Sequence, residues 1–393
     1  GNSFYGNAME TIMETPLKQH YAFQPKNSTA TLNRWGYDTK MKYYLRVLNN
    51  LLKLKANKIR RREYIPNPRE HLYIETSSLC NLECVFCAYS KKDIAKIVMP
   101  NELFFNIIDQ ATEMGFDDFG LTPITGEIFM DKRFFEKLEY LETHPKVSSY
   151  HFFTNFTVLD AAAILKLTAL KKLTILSISV YGHDQSSFVH ITQRNDIAYR
   201  RLVDNLQTLH QILAQADLQI EIGWRTYKSF DHITEGDDYG LSRSVIRLRD
   251  SYDIPLHITK NYDNWGGIIT DKDVNGLDLD VVDGQSMPKI GACSLIFYKL
   301  QVMADGQVNA CACRDVNATL AIGDLSSQRL ADILSDRNQT YMDLIDSQQR
   351  GEFKPICHGC SFYRSIYKYN PVYEYHSKPQ TTLEEVYKTL ERA

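Results

Sequence analysis

Two kinds of apolar pattern alternate along the chain. Short runs rich in β-branched and aromatic residues occur at His71–Thr76, Asp118–Leu121, Tyr150–Thr154, Thr174–Val180, Gln219–Trp224 and Pro255–Ile258. Between them, apolar side chains return every three or four positions over Asn101–Met114, Arg133–Thr143, Ala161–Leu170 and Tyr199–Gln215. A period of two marks a strand and one of 3.6 a helix. Strands separated by helices predict βα units and a parallel sheet, an α/β fold. In the fourth strand, alternation sets Ser177, Ser179 and Tyr181 on one face and Ile178 and Val180 on the other. A later segment reads differently. Phe297–Met303, Asp305-Gly306 and Gln307–Cys311 predict a hairpin with an Asp-Gly turn, followed by a helical stretch from Ser327 to Gln349 and a short helix over Thr382–Ala393.

The first seventy residues fit neither pattern. From Lys40 to Arg62 the charged residues are all basic, and Tyr44, Val47, Leu48, Leu51, Leu52 and Leu54 recur at helical spacing. This predicts a basic amphipathic helix. Such a helix packs on a neighbouring domain, or docks an acidic carrier, a nucleotide or a membrane surface. Across all 393 residues, 44% are hydrophobic and 24% charged, which excludes a disordered or fibrous chain. The net charge of −3 gives no global footprint for nucleic acid, and none is expected as a partner. No apolar run approaches the ~18 residues of a membrane span. No secretory signal pattern opens the chain, so a cytoplasmic location is expected.

The eight cysteines change the picture most. Cys80, Cys84 and Cys87 form a tight early triplet, and Cys293, Cys311, Cys313, Cys357 and Cys360 a spread late set. A chain this long with so few cysteines is not a secreted disulfide scaffold, so the clusters point to metal or redox chemistry. Three thiolates cannot close a tetrahedral zinc site alone. They can hold three irons of a 4Fe-4S cube and leave the fourth open.

The run Tyr73-Ile-Glu-Thr-Ser-Ser-Leu-Cys80, continued as CxxxCxxC with Phe86 before the last cysteine, resembles the radical S-adenosylmethionine (SAM) superfamily. The resemblance implies a partial (β/α)6 barrel and a 4Fe-4S cluster on Cys80, Cys84 and Cys87. The open iron of that cluster would bind SAM. One electron would then cleave SAM to methionine and a 5′-deoxyadenosyl radical that takes a hydrogen from substrate. In such barrels ligands sit at the C-terminal ends of the strands. Several segments there are similar to family motifs. Thr125-Gly126-Glu127-Ile128 is similar to Gly-Gly-Glu-Pro, with Thr and Ile at its ends, and implies that Gly126 and Glu127 meet the SAM ammonium. Thr154-Asn155 resembles Thr-Asn-Gly, with Phe156 in place of Gly. Ser177–Gly182 is similar to Ser-Leu-Asp-Gly and makes Ser179 the candidate for the SAM ribose or carboxylate. His190-Ile-Thr-Gln-Arg194 is similar to His-x-x-x-Arg, so Arg194 is a candidate partner of the SAM carboxylate. Phe86 and Tyr89 stand where relatives place aromatics near the cofactor.

The late cysteines resemble the twitch form of the SPASM domain, a small α+β unit. This implies that Cys293, Cys311, Cys357 and Cys360 ligate an auxiliary 4Fe-4S cluster. Four thiolates suit tetrahedral zinc as well. Cys313 is left over: an alternative ligand, a small buried residue, or a thiol that returns a hydrogen atom to a substrate radical. Arg225, at the end of the fifth strand, is a candidate base or substrate clamp, or a salt-bridge partner.

The expected organisation is therefore an N-terminal extension (1–70), a radical SAM barrel (71–264), a linker (265–292) and a SPASM/twitch domain with a C-terminal helix (293–393). The expected activity is that of a radical SAM oxidoreductase acting on a small carbohydrate-like molecule. Oxidation of a sugar or aminocyclitol alcohol comes first, with the auxiliary cluster as electron acceptor. The alternatives are a radical epimerase using Cys313 and a peptide maturase. A flavodoxin or ferredoxin is the expected reductant.

Overall fold

The computed structural model describes residues 34–231, 240–285, 287–369 and 380–391. The strands are β1 (His71–Ile74), β2 (Asp118–Gly120), β3 (Ser149–Thr154), β4 (Leu173–Tyr181), β5 (Ile220–Arg225) and β6 (Leu256–Thr259). All pair in parallel, in that order. The outer faces of β1 to β5 are apolar and buried, as at Leu72, Ile74, Phe119, Tyr150, Phe152, Ile178, Ile222 and Trp224, while β6 at the sheet edge is half-buried. Helices α1 (Asn101–Glu113), α2 (Phe134–Thr143), α3 (Ala161–Leu167) and α4 (Asp196–Leu213) supply the opposing core through Phe104, Ile107, Leu138, Ile164, Leu202 and Leu206. Asp160 starts α3 by accepting the Ala163 N–H (2.8 Å), a side-chain cap of an otherwise orphaned donor. Two further helices, α5 (Gln185–Thr192) and α6 (Leu241–Tyr252), lie beyond the four expected from the sequence; α6 buries Leu241, Val245 and Leu248 at helical spacing.

The hairpin is not a separate sheet. Its strands, β7 (Gln301–Val302) and β8 (Gln307–Asn309), turn at Asp305-Gly306, where Gly306 has φ +95°. Strand β7 pairs in parallel with β1, and β9 (Ala321–Asp324) completes one continuous sheet beyond it. The first expected hairpin strand is shorter than its apolar run, because Leu295–Tyr298 forms a helical turn. The expected helix over Ser327–Gln349 is broken into Leu330–Ile333 and Gln339–Arg350. Asn338 causes the break: its amide donates to the Ile322 and Ile333 carbonyls (2.7 and 2.8 Å), and its side-chain oxygen caps the second helix.

The stretch 265–292 is more than a spacer. Ile269, Val274 and Leu279 are buried in it. The N-terminal helix spans Arg34–Ile59; residues 1–33 lie outside the described residues. Its last turns are tied down by Asn57 to the Tyr367 carbonyl (2.9 Å) and Lys58 to the Gln349 carbonyl (2.6 Å). Of the expected stripe, Val47, Leu51 and Leu54 are half-buried, with Leu54 packed against the main core, while Leu48 and Leu52 are more than half exposed. Among the described residues no helix is long and apolar enough to cross a membrane.

Candidate active site

Cys80, Cys84 and Cys87 lie in the loop after β1, at the C-terminal edge of the parallel strands. The loop is braced at several points. The Tyr89 hydroxyl accepts the Cys80 N–H (3.0 Å), with the Lys96 ammonium over its ring. The Glu83 and Val85 N–H groups donate to the carbonyls of Thr192 and Ile191 (3.0 and 2.9 Å). Arg194 donates to the Asn81 carbonyl (2.7 Å) and pairs with Glu83 (2.9 Å). The structure therefore directs Arg194 at the cysteine loop itself. Phe86 packs against the rings of Tyr181 and Tyr262 (5.3 and 4.7 Å between centroids). Burial pushes the Cys80 thiol up to about 12 and that of Cys87 to about 11; Cys84 also rises, with the Arg225 charge opposing this at Cys84 and Cys87. Buried thiols that resist ionisation need a cation to become thiolates.

The Gly126 and Glu127 segment is stitched to the same loop. The Glu127 N–H donates to the Leu79 carbonyl (2.7 Å). Gly126 has φ +150°, and a Cβ there would stand 2.6 Å from the Ser77 carbonyl oxygen. Only glycine fits this approach. The buried Glu127 carboxylate accepts from the Thr154 hydroxyl (2.7 Å), the Asn155 N–H (2.6 Å) and the Phe129 N–H (3.3 Å). Burial still pushes its carboxyl up to about 7. Asn155 donates to Asn81 (2.9 Å), inside the cysteine loop. Phe156, where the resembling motif has Gly, takes the left-handed conformation glycine would favour (φ +60°), and its fully buried ring helps hold it there. Ser179 is buried on the inner face of β4.

The inner face of the neighbouring strands is water-accessible. On β1, β3 and β5 the inward positions stay partly exposed while the outward ones are buried, and Phe153 is 41% exposed. Arg225, Gly223 and Glu221 follow one another along the inner face of β5. Glu221 accepts the Ser177 hydroxyl, and its carboxylate lies 3.7 Å from His257 Nε2 on β6. That nitrogen is buried without a hydrogen-bond partner. Beside them, a Cβ on Gly223 would meet nothing nearer than Arg225 Nη1 at 3.9 Å. Glu221 and His257 were not singled out by sequence. The alternation of Gln219–Trp224 is the signal that puts Glu221 on the Arg225 face.

The late cysteines come from three separate segments. The buried Gln348 amide ties two of them, accepting the Cys293 N–H (2.8 Å) and donating to Cys357 Sγ (3.5 Å). Cys293 and Cys360 accept N–H bonds from Arg364 (3.4 Å) and Phe362 (3.2 Å). In the first set Cys80 accepts one from Leu82 (3.4 Å). Cys313 stands with the late set: the Cys311 thiol donates to its sulfur, and Lys299, Arg314 and Arg364 favour its thiolate. Among the described residues no three His, Cys, Asp or Glu side chains converge on a single ion. The fit to iron–sulfur clusters rests instead on the N–H donors aimed at sulfurs of both sets, which stabilise thiolate ligands.

Residues 293–361 match the SPASM family model, an iron–sulfur cluster-binding domain. The structure of Streptococcus suis SuiB bound to S-adenosylmethionine matches over 94% of this chain and 88% of that one, at 15% identity and TM-score 0.50. The chain has the radical SAM fold and a SPASM domain. Two more distant matches of this radical SAM–SPASM chain fall below that TM-score. BtrN in complex with AdoMet and 2-DOIA covers 74% of this chain and 92% of that one (15% identity, TM-score 0.46). Native anSMEcpe with bound AdoMet and Cp18Cys peptide covers 82% and 96% (13% identity, TM-score 0.44). No curated protein matches the sequence.

Proposed function

We propose that the chain binds SAM at the Cys80–Cys84–Cys87 site and removes a hydrogen from a small polar molecule held on the inner face of the sheet. The observation that carries this reading is the placement of that cysteine loop at the mouth of a polar, water-accessible strand face. When bound, the cluster and SAM supply a carbon-centred radical able to break an unactivated C–H bond. The chain's own residues do the rest. Cys80, Cys84 and Cys87 hold the first cluster. Glu127, Asn155 and Ser179 receive the polar groups of SAM, and Gly126 lets the Glu127 segment approach the loop. Phe86 and Tyr89 support that loop. Cys293, Cys311, Cys357 and Cys360 hold the auxiliary cluster.

The reaction we favour is oxidation of a sugar or aminocyclitol alcohol, with the auxiliary cluster taking the electron and a flavodoxin or ferredoxin recharging the first site. Arg225 is the substrate clamp in this reading. His257, whose Nε2 makes no hydrogen bond and lies 3.7 Å from the Glu221 carboxylate, accepts the hydroxyl proton, with Glu221 stabilising the resulting imidazolium. Loss of two hydrogens from the product separates oxidation from epimerisation, which leaves the mass unchanged. A rate that depends on a precursor peptide would identify a maturase instead.

Iron analysis after anaerobic reconstitution tests the core of the reading. We expect about eight irons per chain, falling to about four when Cys80, Cys84 and Cys87 are changed to Ala, with loss of 5′-deoxyadenosine formation. About four falling to none would remove the auxiliary electron acceptor and with it the oxidation reading.

A further inference from the structure

The segment 263–267, at the junction of the expected barrel and linker, touches both cysteine sets. The Trp265 indole N–H donates to the Phe86 carbonyl (2.8 Å), between Cys84 and Cys87. The Trp265 backbone N–H donates to Asp263 (2.7 Å). The other carboxylate oxygen of Asp263 accepts the Ser361 hydroxyl (2.8 Å), next to Cys360. Asn264 donates to the Gly359 carbonyl (2.8 Å) and accepts the Ser361 N–H (3.2 Å). The backbones meet closely: a Cβ on Gly359 would lie 2.2 Å from the Gly266 carbonyl oxygen.

One cation closes this junction. Arg314, beside Cys313, pairs with Asp263 (2.6 Å). Its guanidinium lies over the rings of Trp265 (5.2 Å) and Phe362 (4.5 Å), and these contacts with the Asp263 pair hold it in place. It bonds the Cys313 carbonyl as well. Its field reaches thiols of both sets, favouring the thiolate at Cys87, Cys313 and Cys360. Asp263 acts in the opposite direction on Cys360.

We infer that Arg314, clamped by Asp263 and Trp265, is a shared positioning residue. It fixes the two iron–sulfur sites against each other and sets the reduction potentials of both through one mostly buried charge. The inference rests on the two-cluster reading above. A fixed positive charge stabilises the reduced, more negative form of a nearby cluster and so raises its potential; a carboxylate lowers it. Neither residue is a cluster ligand, so both can be changed while the thiolates remain.

The test is a redox titration followed by electron paramagnetic resonance, on the reconstituted full chain without substrate. Arg314→Gln is expected to lower both midpoint potentials, Arg314→Lys to restore part of the shift, and Asp263→Asn to raise them. Opposite signs in the two variants are the signature, because a loosened junction would move both in one direction. Unshifted potentials, or shifts of the same sign, in variants that keep wild-type iron overturn the inference. Should Arg314→Gln not retain both clusters, the comparison of Arg314→Lys with Asp263→Asn decides by the same sign rule. A wild-type chain that holds only one reducible cluster overturns the two-cluster reading and this inference with it. Two clusters with unshifted potentials overturn this inference alone.

Discussion

The two cysteine sets are built in opposite ways. The first is contiguous: Cys80, Cys84 and Cys87 sit in one short loop whose shape is imposed from outside by Gly126, Glu127, Asn155, Tyr89 and Arg194. The late set draws Cys293, Cys311 and the Cys357–Cys360 turn from three places, and Gln348 and the Asn264 junction join them. A contiguous loop keeps its spacing when its supports weaken but loses its orientation. A dispersed set loses its spacing first. The difference teaches where each site is vulnerable.

Glycine substitutions break the comparison most strongly. Gly126→Ala puts a Cβ against the Ser77 carbonyl at a positive φ, and Gly359→Ala drives one into the Gly266 carbonyl. Each is expected to cost about 3 kcal/mol or more, through strain and overpacking. Thermal melting gives the loss. Iron analysis is expected to separate the two, with Gly126→Ala losing SAM cleavage first and Gly359→Ala losing auxiliary iron first. Equal iron loss from both sites in both variants would abolish the contrast.

An intermediate effect comes from Glu127. Burial raises its carboxyl from 4.5 to about 7. Between those values the folded chain holds a proton that the unfolded chain has released, so stability falls as pH rises through this window. Below the window both states are protonated and this contribution is fully present. The upper bound is roughly 3 kcal/mol. Glu127→Gln is expected to remove this part of the pH dependence, read as denaturant midpoints from pH 4 to 8. An unchanged slope would place the carboxyl in a wetter setting than the structure gives it.

The smallest effect is at Arg194. Its pair with Glu83 is half exposed, so Arg194→Ala is expected to cost about 1 kcal/mol or less in stability. The hydrogen bond to Asn81 makes the change local to the cysteine loop. The variant is expected to weaken SAM binding in calorimetry while auxiliary iron stays at the wild-type level. A large loss of auxiliary iron would mean that the sites share more than the 263–267 junction.

Legibility followed the same division. The six parallel strands came through because each has an apolar outer face at period two, and the early cysteine spacing lies within eight consecutive residues. The Asn338 break did not come through, because a side-chain cap competes with a continuous apolar period. Nor did the Glu221–His257 pair, since each residue looks like an ordinary polar position until β5 and β6 are set side by side. Arg314 was hidden for a related reason: its partners Asp263, Trp265 and Phe362 lie up to 51 positions away, and no local pattern links them. The resemblance points Arg194 at a cofactor carboxylate; in the fold its side chain reaches back to Glu83 and Asn81 in the cysteine loop, contacts that no local pattern announces.

The parallel pairing of β7 with β1 has a consequence for how this chain can be divided. The strand that feeds the cysteine loop has a neighbour on each side, and one of them belongs to the SPASM domain. Cut away from residue 293 onward, β1 would become an open edge with unpaired N–H and C=O groups directly beneath the Cys80–Cys87 loop, a template for aggregation. The SPASM domain is thus a sealing strand as well as a cluster carrier. Shortened or domain-swapped versions of this protein would need a replacement edge before they needed a replacement cluster.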